Sequence, residues 1–386
     1  MALVAAALAT ACGSASGPVV ARPVAVTPPG ATPAPPGGTP EPIDPATLAA
    51  FVPEAERFVE EHRGLRFTAP VKVRLLDDAA FRARNGDGGI DPVVADELHA
   101  LQLVPRSVDL IAASKRSDSE GVVGVYQSRS KELLVRGSAP NPFVREVLVH
   151  ELTHALQDQW FGIDRPALDA ADDERSEAFT AVVEGDAVRI EDEYVASLPA
   201  GERRRVRLLE DAVTGIRGSI PGPLRELDLF PYISGPDFVR ALAATRGNAG
   251  VDAAFRTPPT TSAEVMEPQR YLGGVAGATT VPVPAAGGAS IDHGILGEFG
   301  LHLLMERASG TGAVSDADAD ATTRAWHGDA YVAWSRGTLT CERVTLAAAP
   351  GPSHDLVERV LSAYAARVSG VTVTAAPSTV TLTSCG

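Results

Sequence analysis

Lysine is almost missing from this 386-residue chain. Lys72, Lys115 and Lys131 are three of its 34 basic residues, and the rest are arginine. Acids outnumber bases, and the formal charge is −15 at pH 7. That balance excludes a phosphate-reading surface, so we expect no nucleic-acid partner. We read the arginine bias as genomic base composition and the acidity as a matter of solubility. Cysteine is as scarce, with Cys12, Cys341 and Cys385 alone. Setting Cys12 aside, two thiols cannot build a four-thiolate zinc site. Long apolar runs are also lacking. The longest candidate, at the N-terminus, is too short to span a bilayer.

What is present fits a globular protein: 45% hydrophobic and 22% charged residues, enough chain for one large or two ordinary domains. The first residues, ALVAAALATAC, form a short apolar stretch that ends in small residues before Cys12. This resembles the signal peptide and lipobox (1–12) of a bacterial lipoprotein, although no Lys or Arg precedes the apolar stretch. Cys12 would carry the lipid, and the expected place of the protein is the extracytoplasmic face of the membrane, held by that anchor alone. Ten of the 30 prolines fall in residues 13–46, a composition that buries little and reads as a tether. In an exported protein Cys341 and Cys385 are expected to pair as a disulfide and tie back the C-terminal tail.

Apolar spacing predicts helices at 48–62 and at 295–308, and alternation predicts a strand at 71–77. A hairpin is expected from 121–127 and 131–137, and a strand pair from 329–347. Between them Asn141-Pro142 supplies a helix start, followed by VREVLVHELTHALQDQW. A second long helix is expected from Asp172 to Ser197, with the acidic first turn that the helix dipole favours. The fold class is α+β: an antiparallel or mixed sheet with a histidine-bearing helix, then a mainly helical C-terminal portion. We expect a site-bearing part at 47–200 and a C-terminal part at 201–386.

His150 and His154 are four apart, so on a helix they project from one face about 6 Å apart and can share a metal ion. Glu151 points about 100° away, placed to reach a water on that metal without ligating it. Chance produces this H-E-x-x-H pattern on the order of 1% of the time in such a chain. A catalytic zinc needs a third protein ligand and an open position. No histidine or cysteine follows nearby; Trp160 stands where a metzincin-type histidine would fall. Carboxylates on the second helix remain: Glu177, Glu184 and Asp186. Glu184 is preferred because Gly185 beside it permits a close backbone approach and the apolar AFTAVV precedes it. Glu177, on the same face seven residues earlier, is the alternative. Asp186 is a candidate acceptor for a ligand imidazole.

These residues carry a resemblance. HELTH with a downstream glutamate is similar to the gluzincins, the thermolysin-like zinc metallopeptidases. The longer pattern, HELTHALQDQ (150–159), VVEGDA (182–187), FPYISGPDFV (230–239), EVMEPQRYL (264–272) and WHGDAY (326–331), resembles uncharacterised bacterial zincin-like lipoproteins. The resemblance spans roughly 120–335. It implies one Zn²⁺ per chain on His150, His154 and Glu184, Glu151 as general base, and a peptide or protein substrate. Tyr232, His293 and His327 are then candidate donors to an oxyanion, and ELLVR (132–136) a candidate edge strand for an extended peptide. The rival expectation is a zincin-fold surface binding protein without catalysis.

Overall fold

A computed structural model describes residues 45–85, 88–136, 142–169, 172–217, 220–275, 277–348 and 351–386. Cys12, the tether up to residue 44 and the expected helix cap Asn141 lie outside the described residues. Helix α1 (Pro45–Arg63) leads into β1 (Lys72–Leu76), α2 (Asp78–Asn85), α3 (Pro92–Ala100) and α4 (Leu110–Gly121). The hairpin β2 (Gly124–Gln127) and β3 (Glu132–Arg136) precedes α5 (Pro142–Phe161), the helix that carries both histidines. Short α6 (Pro166–Asp169) is followed by α7 (Asp173–Ser197), α8 (Ala200–Arg217) and the long α9 (Gly222–Arg256). Next come α10 (Ser262–Met266), α11 (Pro268–Leu272), β4 (Ser290–Gly294), α12 (Gly297–Gly310) and α13 (Asp316–Arg324). The chain closes with β5 (Asp329–Arg336), β6 (Leu339–Ala347), α14 (Pro352–Ala365), β7 (Val371–Ala376) and β8 (Thr379–Cys385). The α+β expectation holds, with every element predicted above present.

Local chemistry accounts for the helix starts. Asp91, before Pro92, accepts from the Val93 N–H, and Asp109 accepts from Ala112. Asp172 accepts from Arg175 at the start of α7, with Asp173 and Glu174 in the first turn. In α9, Pro231 and Pro236 remove two donors, and Gly247 (φ 62°) kinks the helix.

The first sheet has the order β1-β3-β2, with β1 parallel and β2 antiparallel to β3. This corrects one expectation. ELLVR is the central strand, hydrogen-bonded on both sides, so it has no free edge for a peptide. The second sheet, β4-β5-β6-β8-β7, is antiparallel. The portion beyond residue 200, expected to be mainly helical, therefore also holds the larger sheet. Cys341 and Cys385 face each other across β6 and β8 and are joined by a disulfide. One apolar cluster draws on Phe51, Leu148, Val182, Phe238, Leu304 and Leu382, so the segments before and after residue 200 share a core. No helix among the described residues is long and apolar enough to cross a membrane.

Candidate metal centre

Helix α5 is buried over most of its length, and α7 packs against it, with Gln157 of α5 donating to the Val183 carbonyl of α7. Glycine sets the approach of the next layer. A Cβ on Gly185 would sit 2.3 Å from the Gly235 carbonyl carbon of α9, a distance no side chain tolerates. The expected close approach at Gly185 is therefore to α9. It brings Tyr232 of α9 over the His150 ring, with ring centroids 6.4 Å apart.

At this junction His150, His154 and Glu184 bring one ligand atom each within 4.8 Å of one another. The two imidazole Nε2 atoms are 2.9 Å apart, and Glu184 Oε2 lies 3.2 Å from that of His150 and 3.3 Å from that of His154. The outer nitrogens define the tautomers. His150 Nδ1 lies 2.8 Å from the Glu191 carboxylate, an acceptor-only group, and so donates to it. His154 Nδ1 lies 3.0 Å from Gln157 Oε1. The Gln157 amide nitrogen donates to Val183 O and Asp186 Oδ2, which leaves Oε1 to accept from His154. Both Nε2 atoms then carry lone pairs toward the Glu184 oxygen. Three acceptors meeting with no hydrogen between them call for a cation. Protonating an imidazole answers part of that demand, and a metal ion answers all of it.

The electrostatics agree. Burial opposes charge on Glu184, but the imidazoles of His154 and His150 outweigh it and hold the carboxyl down to about 2. Burial likewise disfavours the imidazolium forms, yet Glu184 raises both histidines above their ordinary value. Glu151 is buried beside them and raised by that burial, against the pull of His154 and His150. Its Oε2 accepts from the Tyr126 N–H of edge strand β2 at 2.7 Å. Gly124, on the same strand, makes room: a Cβ there would lie 2.6 Å from Val147 and 3.4 Å from Glu151 Cγ.

Of the sequence candidates, His150, His154 and Glu184 are brought together, with Glu151 and Tyr232 alongside. Glu177 is not part of the group; two turns before Glu184 on the same face of α7, it lines a separate cavity. Asp186 does not reach an imidazole. It pairs with Arg63 at 2.7 Å and Arg189 at 3.0 Å, and meets His154 only through Gln157. The carboxylate on an imidazole is instead Glu191, one helical turn and more beyond Asp186, and sequence reading missed both it and Gln157. The signal was faint: Gln157 is i+3 from His154, and Glu191 is i+7 from Glu184, each on the ligand-bearing face. His293 and His327 are exposed and outside the group. A second trio, Glu226, His302 and Glu306, also offers convergent ligand atoms, on a more exposed face.

No family model, curated protein or solved structure matches this chain.

Proposed function

We propose that this chain is a zinc-dependent peptide-bond hydrolase of gluzincin type, held at the extracytoplasmic membrane face through Cys12. The convergence of the His150 and His154 Nε2 lone pairs on Glu184, with Glu151 next to the first histidine, carries the reading. Tetrahedral zinc with nitrogen and oxygen bonds of about 2.0–2.2 Å needs ligand atoms about 3.3 Å apart. The observed separations of 2.9, 3.2 and 3.3 Å suit it. The three-ligand set supports a site with one position left for chemistry.

Bound zinc would draw the pKa of a water toward neutrality and polarise a scissile carbonyl. Glu151 takes a proton from the attacking water and passes it to the leaving amine. The Tyr126 N–H orients that carboxylate through Oε2. Glu191 and Gln157 hold the two rings in the tautomer that presents Nε2. Tyr232, its ring stacked beside His150, is the candidate donor to an oxyanion.

A second reading, a surface binding protein on the same scaffold, has its own observation. His150, Glu151, His154 and Glu184 are all buried, so a peptide carbonyl meets them only after the surrounding helices part. Replacing Glu151 by Gln separates the two. Metal analysis should find one zinc per chain in wild type and variant alike, while cleavage of a mixed peptide library falls by roughly 10²–10⁴-fold. Equal inertness of both proteins, each holding zinc, would favour the binding reading. Full activity in Glu151→Gln would refute the mechanism.

A further inference from the structure

Away from the metal group, α3, the start of α7, α12 and the β5-β6 pair enclose a cleft with about 760 Å³ of space between atoms, its mouth included. Its walls are apolar, with Leu98, Leu227, Phe299 and Leu303 among them. Its polar lining is of one kind: Glu97, Asp173, Glu174, Glu177 and Glu342, with the Tyr331 phenol. Among the described residues that line it, none is basic.

Two features distinguish this cleft from a solvated acidic patch. Glu342 is 1% exposed, and its Oε2 has no hydrogen-bond partner; Glu97 Oε1 and Glu177 Oε1 are likewise buried without one. Burying such oxygens is costly unless something meets them. Second, burial above all, with repulsion from neighbouring carboxylates, pushes Glu97, Glu177 and Glu342 well above the usual carboxylate range, and Glu174 up to about 8, although Ser262 donates two hydrogen bonds to it. The fold concentrates acids here without supplying a counter-charge.

We propose that this cleft is a binding site for an organic cation, an ammonium head carried on an apolar body. The head would lie among Glu97, Glu177 and Glu342, and the body along Leu98, Phe299 and Leu303. A bare metal ion fits less well. Among the described residues, no three of these acids bring oxygens within 4.8 Å of one another, the spacing reached at His150, His154 and Glu184. A larger cationic head bridges wider gaps through several N–H donors, and the apolar walls take up a hydrocarbon body that a hydrated ion cannot use. The proposal rests on no part of the hydrolase reading.

Calorimetric titration of the full chain at pH 7 with n-hexylammonium and with 1-hexanol tests it. The ammonium should bind at one per chain and at least about tenfold more tightly than the alcohol, because the charge-assisted contacts belong to it alone. Glu342→Gln keeps the shape and relieves the buried acid, so it should fold, and it should weaken hexylammonium by at least about tenfold while leaving 1-hexanol unchanged. Leu303→Trp, which fills the apolar end, should weaken both. Equal affinity for the two probes, no saturable binding of hexylammonium to wild type, or undiminished binding in Glu342→Gln would overturn the proposal.

Discussion

Helix α7 serves two buried acidic sites, and glutamates on it end in opposite states. Glu184 faces two imidazoles and is held down to about 2. Glu174, ten residues earlier, is pushed up to about 8, and Glu177 also lies well above the ordinary range. Burial opposes the charge in all three, so it does not decide between them. The partner decides: imidazole nitrogens converge on Glu184, whereas Glu177 meets Glu174, Asp173 and Asp228. A buried carboxylate thus reports what the fold has placed opposite it. The first arrangement is a candidate ligand set, and the second leaves carboxylates facing one another.

The sharpest test of this contrast exchanges the two sites. Glu184→Ala removes one of three metal ligands and should abolish stoichiometric zinc, whereas Glu177→Ala should retain one zinc per chain. Dialysis followed by metal analysis measures both. Retention in the first variant and loss in the second would reverse the assignment.

The strand that supplies Glu342 is tied down by the neighbouring Cys341, paired with Cys385 at a sequence separation of 44. In the chain-entropy account, opening a loop of that size costs roughly 4 kcal/mol. The Cys341→Ser/Cys385→Ser double variant should therefore show a large loss in denaturant midpoint. A midpoint equal to wild type would show that the antiparallel pairing of β6 and β8 suffices without the bond.

A smaller effect is expected at the metal group's outer contact. Glu191→Gln leaves His150 with a weaker acceptor on Nδ1 and should lower zinc affinity by about 10–100-fold, read by chelator competition. An unchanged affinity would mean that packing alone orients the ring.

A further effect concerns pH. Glu174, Glu177 and Glu342 keep their protons in the folded chain over a range where the unfolded chain has lost them. Folding then takes up protons, and their contribution to stability, full below about 4.5, declines as pH rises above it, for Glu174 until about 8. Denaturant melts across that window should slope downward, and the slope should flatten in Glu342→Gln. A slope identical in the variant would show that Glu342 is already charged when folded.

The α+β class, the principal helices and the hairpin before the histidine helix, and the pair His150/His154 could be read from the sequence, because spacing of 3.6 and 2 and the capping residues act within a few positions. Glu184 could be preferred from Gly185, since a glycine inside a helix signals close approach. What it approaches could not be read, because Gly235 lies fifty residues away on α9. The same holds for the central place of β3, which depends on β1, sixty residues earlier, pairing with it. Asp186 and Glu191 looked alike as helix carboxylates. Only packing shows that Arg63 of α1 claims the first and His150 the second. The acids of the cation cleft come from α3, α7 and β6, and none of them reads in sequence as a partner of the others. Periodicity records which face of an element is apolar. Which charges are buried, and opposite what, is decided by contacts between elements distant in the chain, where one missing partner changes the state of a carboxylate.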